Sequence, residues 1–301
     1  MAKLRRNHSR RGGAAAGATL LKVTVFALIL FALIWAFYRW RPAGDGARVP
    51  GPSPYDGANW YLPEHDPATL VPHAGFTVSY HEAWEQAAWV AYILRGSDLD
   101  LPWTERRNTF RPDPDVPTGS SVPDDYRGSG YDRGHLAPFA DFAWNPERAD
   151  ETFFMSNVSP QNRAFNQGIW RELEELVRAW ARRDGRLYVV SGPVTSLPPL
   201  RTIGRRNRVA VPAAYFKVIL DLEGDEQKGI GFLLPNTESD RPLLDYAVPI
   251  DSVEATLGYD MFPDLMPPDL ERRLEATVEP QRWPMDEAKY RRRVNQWNNV
   301  K

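Results

Sequence analysis

The chain has 301 residues, of which 43% are hydrophobic and 25% are charged; this composition is typical of globular proteins and excludes global disorder. Because the chain contains no cysteine, disulfides, cysteine nucleophiles, thiolate zinc sites and iron–sulfur clusters are excluded as well. The net charge is −2, but nine of the 37 basic residues and one of the 39 acidic residues fall in residues 1–48, which leaves the remainder about ten charges negative. Contact of that remainder with nucleic acid would therefore need a local basic patch.

The N-terminus has the pattern of a membrane anchor. Residues 1–13 form a basic tail, and residues 14–40 form a predicted transmembrane helix that ends in the aromatic residues Trp35, Tyr38 and Trp40. About 25 residues at about 1.5 Å each can cross a hydrocarbon core of about 30 Å. The positive-inside rule puts the N-terminus in the cytoplasm and the rest in a periplasmic or extracellular compartment. A cleaved signal peptide is the alternative, but the apolar segment is long for one and no A-x-A cleavage site follows it.

Three regions follow the anchor. Residues 41–72, rich in Pro, Gly, Asp and Asn, predict a linker; residues 73–276 predict one domain, and residues 277–301 a polar, basic tail. Within the domain, residues 106–131 predict a long loop, and residues 81–94 fit a helix or a strand equally well. The patterns predict strands over 151–158, 187–191, 214–222 and 229–234, and helices over 165–183 and 265–276.

One of the five histidines differs from the others in its setting. None has a second histidine at metal-ligand spacing, which makes a multi-histidine zinc site improbable. His135, however, closes the sequence Asp132-Arg133-Gly134-His135, where the glycine allows a close backbone approach and the arginine suits a phosphate. A strand carrying His135, a second strand ending at Asn157 and a helix opening near Asn166 would make a compact β–β–α unit.

These motifs resemble the DNA/RNA non-specific endonuclease family, which includes mitochondrial endonuclease G and secreted bacterial nucleases. The resemblance runs from about Trp60 to Ala276 and rests on several motifs in the same order: Asp132–His135, Ser156–Gln161, Asn166 with Trp170 and Glu174, Phe110–Asp113, Phe216–Val218 and Asp260–Pro263. It implies a ββα-metal (His-Me finger) nuclease site on an α+β domain with a central antiparallel sheet.

The resemblance also implies roles for individual residues. His135 would be the general base, and Asn166 would be the only direct protein ligand of a divalent cation, usually Mg²⁺, with Mn²⁺ and Ca²⁺ left open. Glu174 would hold a metal-bound water.

Arginine and asparagine side chains would complete the site. Arg133 and Asn157 would line it, and an upstream arginine near Phe110 would be either Arg106 or Arg107, with Arg107 preferred.

The residue types fit phosphodiester hydrolysis independently of the resemblance. A neutral imidazole can accept a proton from water near neutral pH, and a hard cation such as Mg²⁺ can neutralise charge that develops on the phosphate. On one continuous helix, Asn166 and Glu174 would lie about 80° and about 12 Å apart, too far to share one ion directly. The structural alternatives are an N-cap for Asn166 and a solvated helix charge, beside Arg171 and Arg178, for Glu174.

Two basic clusters stand out from the acidic domain. The first holds Arg201, Arg205, Arg206 and Arg208, which could follow a phosphate backbone or could form a solvated strand edge. The second, residues 291–293 with Trp297, could bind nucleic acid or anionic lipid, although a frayed tail is the simpler interpretation.

The sequence thus predicts a membrane-anchored, Mg²⁺-dependent endonuclease that hydrolyses DNA and RNA with little sequence preference. A catalytically inactive envelope protein that binds nucleic acid or another anionic polymer is the alternative from a different class, and an enzyme with a narrower substrate is a third hypothesis. The expected partners are DNA, RNA and a membrane; the sequence is compatible with a homodimer and does not define an inhibitor partner.

Overall fold

A seven-stranded antiparallel sheet organises residues 60–298, the part of the chain that this computed structural model describes. Its strand order is β1-β2-β3-β6-β9-β10-β11. These strands are β1 Leu70–Pro72, β2 Thr77–His81, β3 Gln86–Arg95, β6 Arg186–Pro193, β9 Ala214–Asp221, β10 Lys228–Pro235 and β11 Ala247–Val248. Two separate two-stranded sheets pair β4 Asp132–His135 with β5 Val158–Gln161, and β7 Arg201–Ile203 with β8 Val209–Val211; the second is a hairpin.

Helices and short turns connect the strands and cover the sheet. The helices are α1 Phe139–Phe142, α2 Pro146–Glu151, α3 Arg163–Phe165, α4 Arg171–Asp184, α5 Ile250–Leu257, α6 Pro268–Glu275 and α7 Glu287–Arg292, with π-helical segments at Asn166–Trp170 and Arg293–Trp297. Single 3₁₀ turns lie at Pro67–Thr69, Glu82–Trp84, Asp98–Asp100, Pro123–Tyr126, Met155–Asn157, Leu243–Tyr246 and Pro280–Arg282.

The two faces of the sheet carry separate hydrophobic cores. Successive residues of a strand point to opposite faces. In β9, Tyr215 and Ile219 pack in the core that contains the apolar face of α4, whereas Phe216 and Val218 pack in the core beneath α5 and α6. The apolar residues of α4 recur at helical spacing, which is why this helix buries one side: Leu173, Leu176, Val177 and Trp180. The sheet is therefore the middle layer between α4 and the α5–α6 pair.

Several predicted elements are confirmed. The two strands predicted over 214–222 and 229–234 are β9 and β10, and the predicted strand at 187–191 lies within β6. The segment 81–94, which fitted either a helix or a strand, contains the end of β2, a 3₁₀ turn and most of strand β3. The mixture of helices with an antiparallel sheet is the α+β fold that was expected.

Other predictions are wrong or incomplete. The strand predicted over 151–158 is not present, because α2 ends at Glu151 and β5 begins only at Val158. The intervening apolar run turns through a 3₁₀ segment and buries Phe153 and Met155 in two different small cores. An apolar run without alternation does not distinguish a strand from a buried turn.

The C-terminal region was expected to be a polar, frayed tail, and its described part is not. Helix α7 and the segment that follows it pack against α4, where the buried Arg293 donates a hydrogen bond to Glu172 and Lys289 pairs with Glu175 at 3.0 Å. Trp297 is buried as well.

The predicted basic tail 1–13 and transmembrane helix 14–40 lie outside the described residues, as does most of the predicted linker 41–72. Within residues 60–298, no helix combines the length and apolar character that a membrane span requires.

Candidate active site

Strand β4, which pairs with β5, carries His135 at its end. The two strands pair from Asp132 opposite Gln161 to His135 opposite Val158. A side chain at position 134 would collide with the buried side chain of Gln161, which would then have to move. This local requirement explains the third residue of the Asp-Arg-Gly-His motif.

The π-helical segment binds both ends of β4. At the start of the strand, Asp132 Oδ2 accepts hydrogen bonds from Asn166 Nδ2 at 3.0 Å and from Gln167 Nε2 at 3.1 Å. At the end of the strand, Trp170 Nε1 donates to the backbone oxygen of His135 at 3.2 Å. The strand that presents the imidazole and the segment that presents the carboxamide are thus fixed to each other at two points. The resulting β–β–α unit differs from the predicted one in its second strand, which begins at Val158 and does not end at Asn157.

Asn166 is not the N-cap that the structural alternative proposed. The N-cap of α3 is Asn162, whose Oδ1 accepts from the backbone nitrogen of Ala164 at 2.9 Å. Since Nδ2 of Asn166 is bonded to Asp132, its Oδ1 is the atom left to accept a hydrogen bond or to bind a cation. Asn166 and Asp132 both offer side-chain oxygen atoms, the ligand type that Mg²⁺ prefers.

The helix is interrupted between Asn166 and Glu174. Gly168 has φ −102° and ψ −108°, which is not helical, and regular α4 starts only at Arg171. The separation calculated for one continuous helix therefore does not apply. Such π-helical insertions are frequent at functional sites.

A cleft of about 510 Å³ opens beside this unit. It is lined by Arg106, Phe110, Pro123, Asp124, Tyr126, Arg127, Tyr131, Asp132, Arg133 and Asn166. Three arginines give it a positive wall, although the described part of the chain is acidic overall.

His135 lies next to this cleft and is 9% exposed. Its ring packs between those of Phe110 and Phe153, each with a centroid at 5.3 Å. Burial, reinforced by the positive charges of Arg106 and Arg133, lowers its pKa to about 3. The imidazole is therefore neutral at physiological pH, and among the described residues its Nε2 has no hydrogen-bond partner.

The cleft contains Arg106, not Arg107. The guanidinium of Arg106 lies over the rings of Phe139 at 5.4 Å and Phe153 at 5.6 Å, on the side of the cleft that faces His135. The side chain of Arg107 is 75% exposed and approaches Glu105 at 3.8 Å. Arg107 was preferred only because of its place in the sequence near Phe110. Phe139 and Phe153, which pack on Arg106, are distant from it in sequence, so this contact could not be predicted.

Arg133, which was predicted to line the site, lies in the wall of this cleft. Its guanidinium stacks over Phe110 at 4.3 Å and faces the cleft. Asn157, predicted to line it as well, is instead fully buried. Its Oδ1 accepts from the nitrogen of Ala137, and its Nδ2 donates to the backbone oxygens of Ala137 and Thr152, all at 2.9 Å. Asn157 therefore fixes the backbone that follows His135.

Glu174 is half-buried in a group of charges beside the central sheet and is not a solvated helix charge. The group consists of Glu174, Lys217, Asp141 and Arg178. Burial raises the pKa of Glu174 to about 7, although Lys217 and Arg178 attract its charge. The charge of Glu174 also acts on Arg106, which connects this group to the cleft.

Lys217 is a residue to which the sequence analysis assigned no role. It lies in the middle of β9, is 1% exposed, and has its Nζ 4.5 Å from the centre of the Trp170 ring. Burial lowers its pKa to about 8, against the attraction of Glu174 and Asp141. A lysine inside the apolar run Ala-Tyr-Phe-Lys-Val-Ile-Leu was the signal available in the sequence.

The four arginines of the first basic cluster are all exposed, on or beside the β7–β8 hairpin. Arg201, Arg205 and Arg206 line a groove of about 800 Å³, and this groove shares Asp124 and Arg127 with the cleft. Arg201 also stacks over Tyr131 at 4.8 Å, and Tyr131 belongs to the cleft wall. Arg208 does not line this groove.

Comparison with known proteins places this geometry in a family. Residues 64–267 match the family described as DNA/RNA non-specific endonuclease. The chain is 34% identical to mitochondrial endonuclease G of Bos taurus over 75% of this chain and 78% of that protein, and 35% identical to a nuclease of Nostoc sp. over 68% and 76%. The structure resembles that of endonuclease G in the EndoG/EndoGI complex, with a TM-score of 0.64 and 30% identity over 73% of this chain and 92% of that one. The chain therefore belongs to the DNA/RNA non-specific endonuclease family.

Proposed function

We propose that this protein is a divalent-metal-dependent endonuclease that hydrolyses phosphodiester bonds of DNA and RNA at the cleft beside His135. The observation that carries the proposal is the bonding of the Asn166 segment to both ends of the His135 strand. That bonding fixes the segment that carries Asn166 to the strand that carries His135, and Arg106 and Arg133 lie in the same cleft wall as Asn166.

The cation of the proposed reaction is Mg²⁺, held by Asn166. The support is chemical: the Oδ1 atom of Asn166 is a hard oxygen donor, and with few protein ligands Mg²⁺ keeps several waters. When bound, such an ion neutralises charge on the scissile phosphate and on the leaving 3′-oxygen.

His135 accepts the proton of the attacking water. A base works best when its pKa lies near the working pH, and a pKa of about 3 is too low for that. Part of the depression comes from Arg106 and Arg133, whose charges a phosphodiester would oppose. Substrate binding therefore raises the pKa of His135 towards its ordinary value and makes it a stronger base where substrate is present.

The two arginines hold the phosphate. Their guanidinium groups are fixed by aromatic rings, Arg106 by Phe139 and Phe153 and Arg133 by Phe110. Contacts to phosphate carry no direct base information, so this recognition gives little sequence preference. The groove beside the β7–β8 hairpin extends the positive surface beyond the scissile bond.

We further propose that residues 14–40 anchor the enzyme in a membrane and that the nuclease domain lies outside the cytoplasm. The support is the length of the apolar segment and the basic residues before it.

Loss of the base or of the cation ligand should abolish cleavage. His135→Ala and Asn166→Ala should each lower kcat/KM on plasmid DNA and on RNA by about 10²-fold or more with Mg²⁺. The matched control is His65→Ala, because His65 bonds to the backbone of Pro63 and lies outside the cleft. Each metal is supplied separately after chelation.

Full activity of His135→Ala, or of the parent in excess EDTA, would contradict the mechanism. Tight binding of nucleic acid without turnover in every metal would favour the inactive polymer-binding alternative.

Substitutions of the neighbouring residues Arg106 and Arg107 should have very different effects on cleavage. Arg106→Ala should lower kcat/KM by about 10²-fold, since it removes a fixed cation beside the base. Arg107→Ala removes an exposed side chain and should change activity by no more than about twofold. Steady-state cleavage of one oligonucleotide by both variants decides between them, and the reverse order of effects would overturn the assignment.

The protonation state of His135 can be measured directly. NMR of labelled histidine, with the His135 signal identified by its loss in His135→Gln, should show no protonation between about pH 5 and about pH 8. Arg106→Ala should raise the pKa, because it removes one cause of the depression. Since the folded pKa lies below that of an unfolded histidine, this group should lower the free energy of unfolding as pH falls from about 6.5 towards about 3. A parent pKa near about 6.5 would contradict the described environment.

Anchoring predicts a defined fractionation. The full-length chain should sediment with membranes, should resist extraction with high salt and carbonate, and should dissolve in detergent, while a C-terminal tag stays open to protease added outside the cytoplasm. A mature chain that starts after the apolar segment would instead support a cleaved signal peptide.

A further inference from the structure

Three carboxylates meet on the face of the sheet opposite α4 and the cleft. Asp251 and Glu254 lie on α5, and Glu275 is the last residue of α6. Each side chain offers one oxygen atom within 4.8 Å of the others. We call these three residues the acidic cluster.

Close packing on β10 brings the two helices together. A side chain at Gly229 would meet Ile250 and the backbone oxygen of Leu274, and one at Gly231 would meet Val253. Ile250, Val253 and Leu274 are buried in the core beneath the helices. Asp251 and Glu254 are three positions apart on α5 and so share one face of it. The acidic cluster is thus built into the packing of α5 and α6 and is not an accident of mobile surface side chains.

The carboxylates of the acidic cluster have no basic side chain paired with them in the described residues. Among residues 60–298, no lysine, arginine or histidine forms an ion pair with Asp251, Glu254 or Glu275. Glu254 Oε1 accepts one hydrogen bond, from the nitrogen of Met261 at 2.8 Å.

Glu275 is the residue that points to a ligand. It is 3% exposed, and in the described part of the chain its Oε1 atom is buried without any hydrogen-bond partner. Its position at the C-terminal end of α6, the negative end of the helix dipole, adds to the cost of a carboxylate there. A buried carboxylate oxygen of this kind is normally paired or bound to a metal.

The ionisation of the cluster agrees with this geometry. Burial, assisted by neighbouring carboxylates, raises the pKa of Glu254 to about 7 and that of Glu275 to about 9. The neighbours that act on both include Asp251, Asp260 and Glu271.

We propose that the acidic cluster binds Ca²⁺, which joins α5 to α6. Two oxygens that each lie about 2.4 Å from one ion are at most about 4.8 Å apart, and the three carboxylate oxygens of the cluster lie within this limit. Ca²⁺ fits better than Mg²⁺ because it accepts irregular arrangements of six to eight oxygens, and the exposed Asp251 leaves one side open to water ligands. The site is structural and does not depend on the proposed function.

The test uses the full-length chain with Asn166→Ala, so that the ion of the proposed active site is not counted. After chelation, calorimetric titration with CaCl₂ should detect one Ca²⁺ per chain, and Ca²⁺ should raise Tm above its value in EDTA. Asp251→Asn should weaken binding by about tenfold, since fewer ligand charges mean lower affinity. The double variant that combines Glu254→Gln with Glu275→Gln should abolish binding. The matched control is Asp269→Asn, an exposed α6 carboxylate paired with Arg272, which should bind as the parent does.

Thermal unfolding gives a second readout that does not need the double variant to fold. Saturating Ca²⁺ should raise Tm in the parent above its value in EDTA, because the ion binds the folded state only. At the same Ca²⁺ concentration the rise should be smaller in Asp251→Asn, which retains two of the three carboxylates. Absence of both calorimetric heat and Tm shift in the parent, or a response to Ca²⁺ that Asp251→Asn leaves unchanged, would overturn the proposal.

Discussion

The attachment of the π-helical segment to both ends of β4 is the constraint on which the candidate site depends. Asp132 receives the Asn166 amide at one end, and the His135 backbone receives the Trp170 indole at the other. Trp170 in turn packs against Tyr215 and Lys217 of the central sheet. The carboxamide and the imidazole are therefore positioned by the core, and a shift of the helix along the strand would break both hydrogen bonds.

The charged residues near the site form two groups. One is the cleft wall, which carries three arginines. The other contains two acids, Glu174 and Asp141, and two bases, Lys217 and Arg178, with Arg178 bonded to Asp141 at 2.9 Å. Glu174 acts electrostatically on both Arg106 and Lys217, so this half-buried carboxylate connects the sheet to the cleft wall. A globally acidic domain can present a positive cleft because the field at a site depends on its nearest charges.

Motifs that are local in sequence were predictable, and properties that depend on distant residues were not. The Asp-Arg-Gly-His strand and the helical periodicity of α4 could be found in the sequence, since each is set by neighbouring residues. The choice of Arg106 depends on Phe139 and Phe153, and the role of Asn157 depends on the backbone of Ala137 and Thr152. The missed turn at residues 152–157 has a similar origin, because tertiary contacts there override an apolar run.

The central claim is that His135 and Asn166 act on one phosphate around one cation. The most direct measurement is anomalous scattering from crystals that hold Mn²⁺ and a short phosphorothioate oligonucleotide that resists cleavage. The account predicts an ion bound to Oδ1 of Asn166, with a phosphate between that ion and the imidazole of His135. An ion bound elsewhere, or a phosphate out of reach of the imidazole, would contradict it.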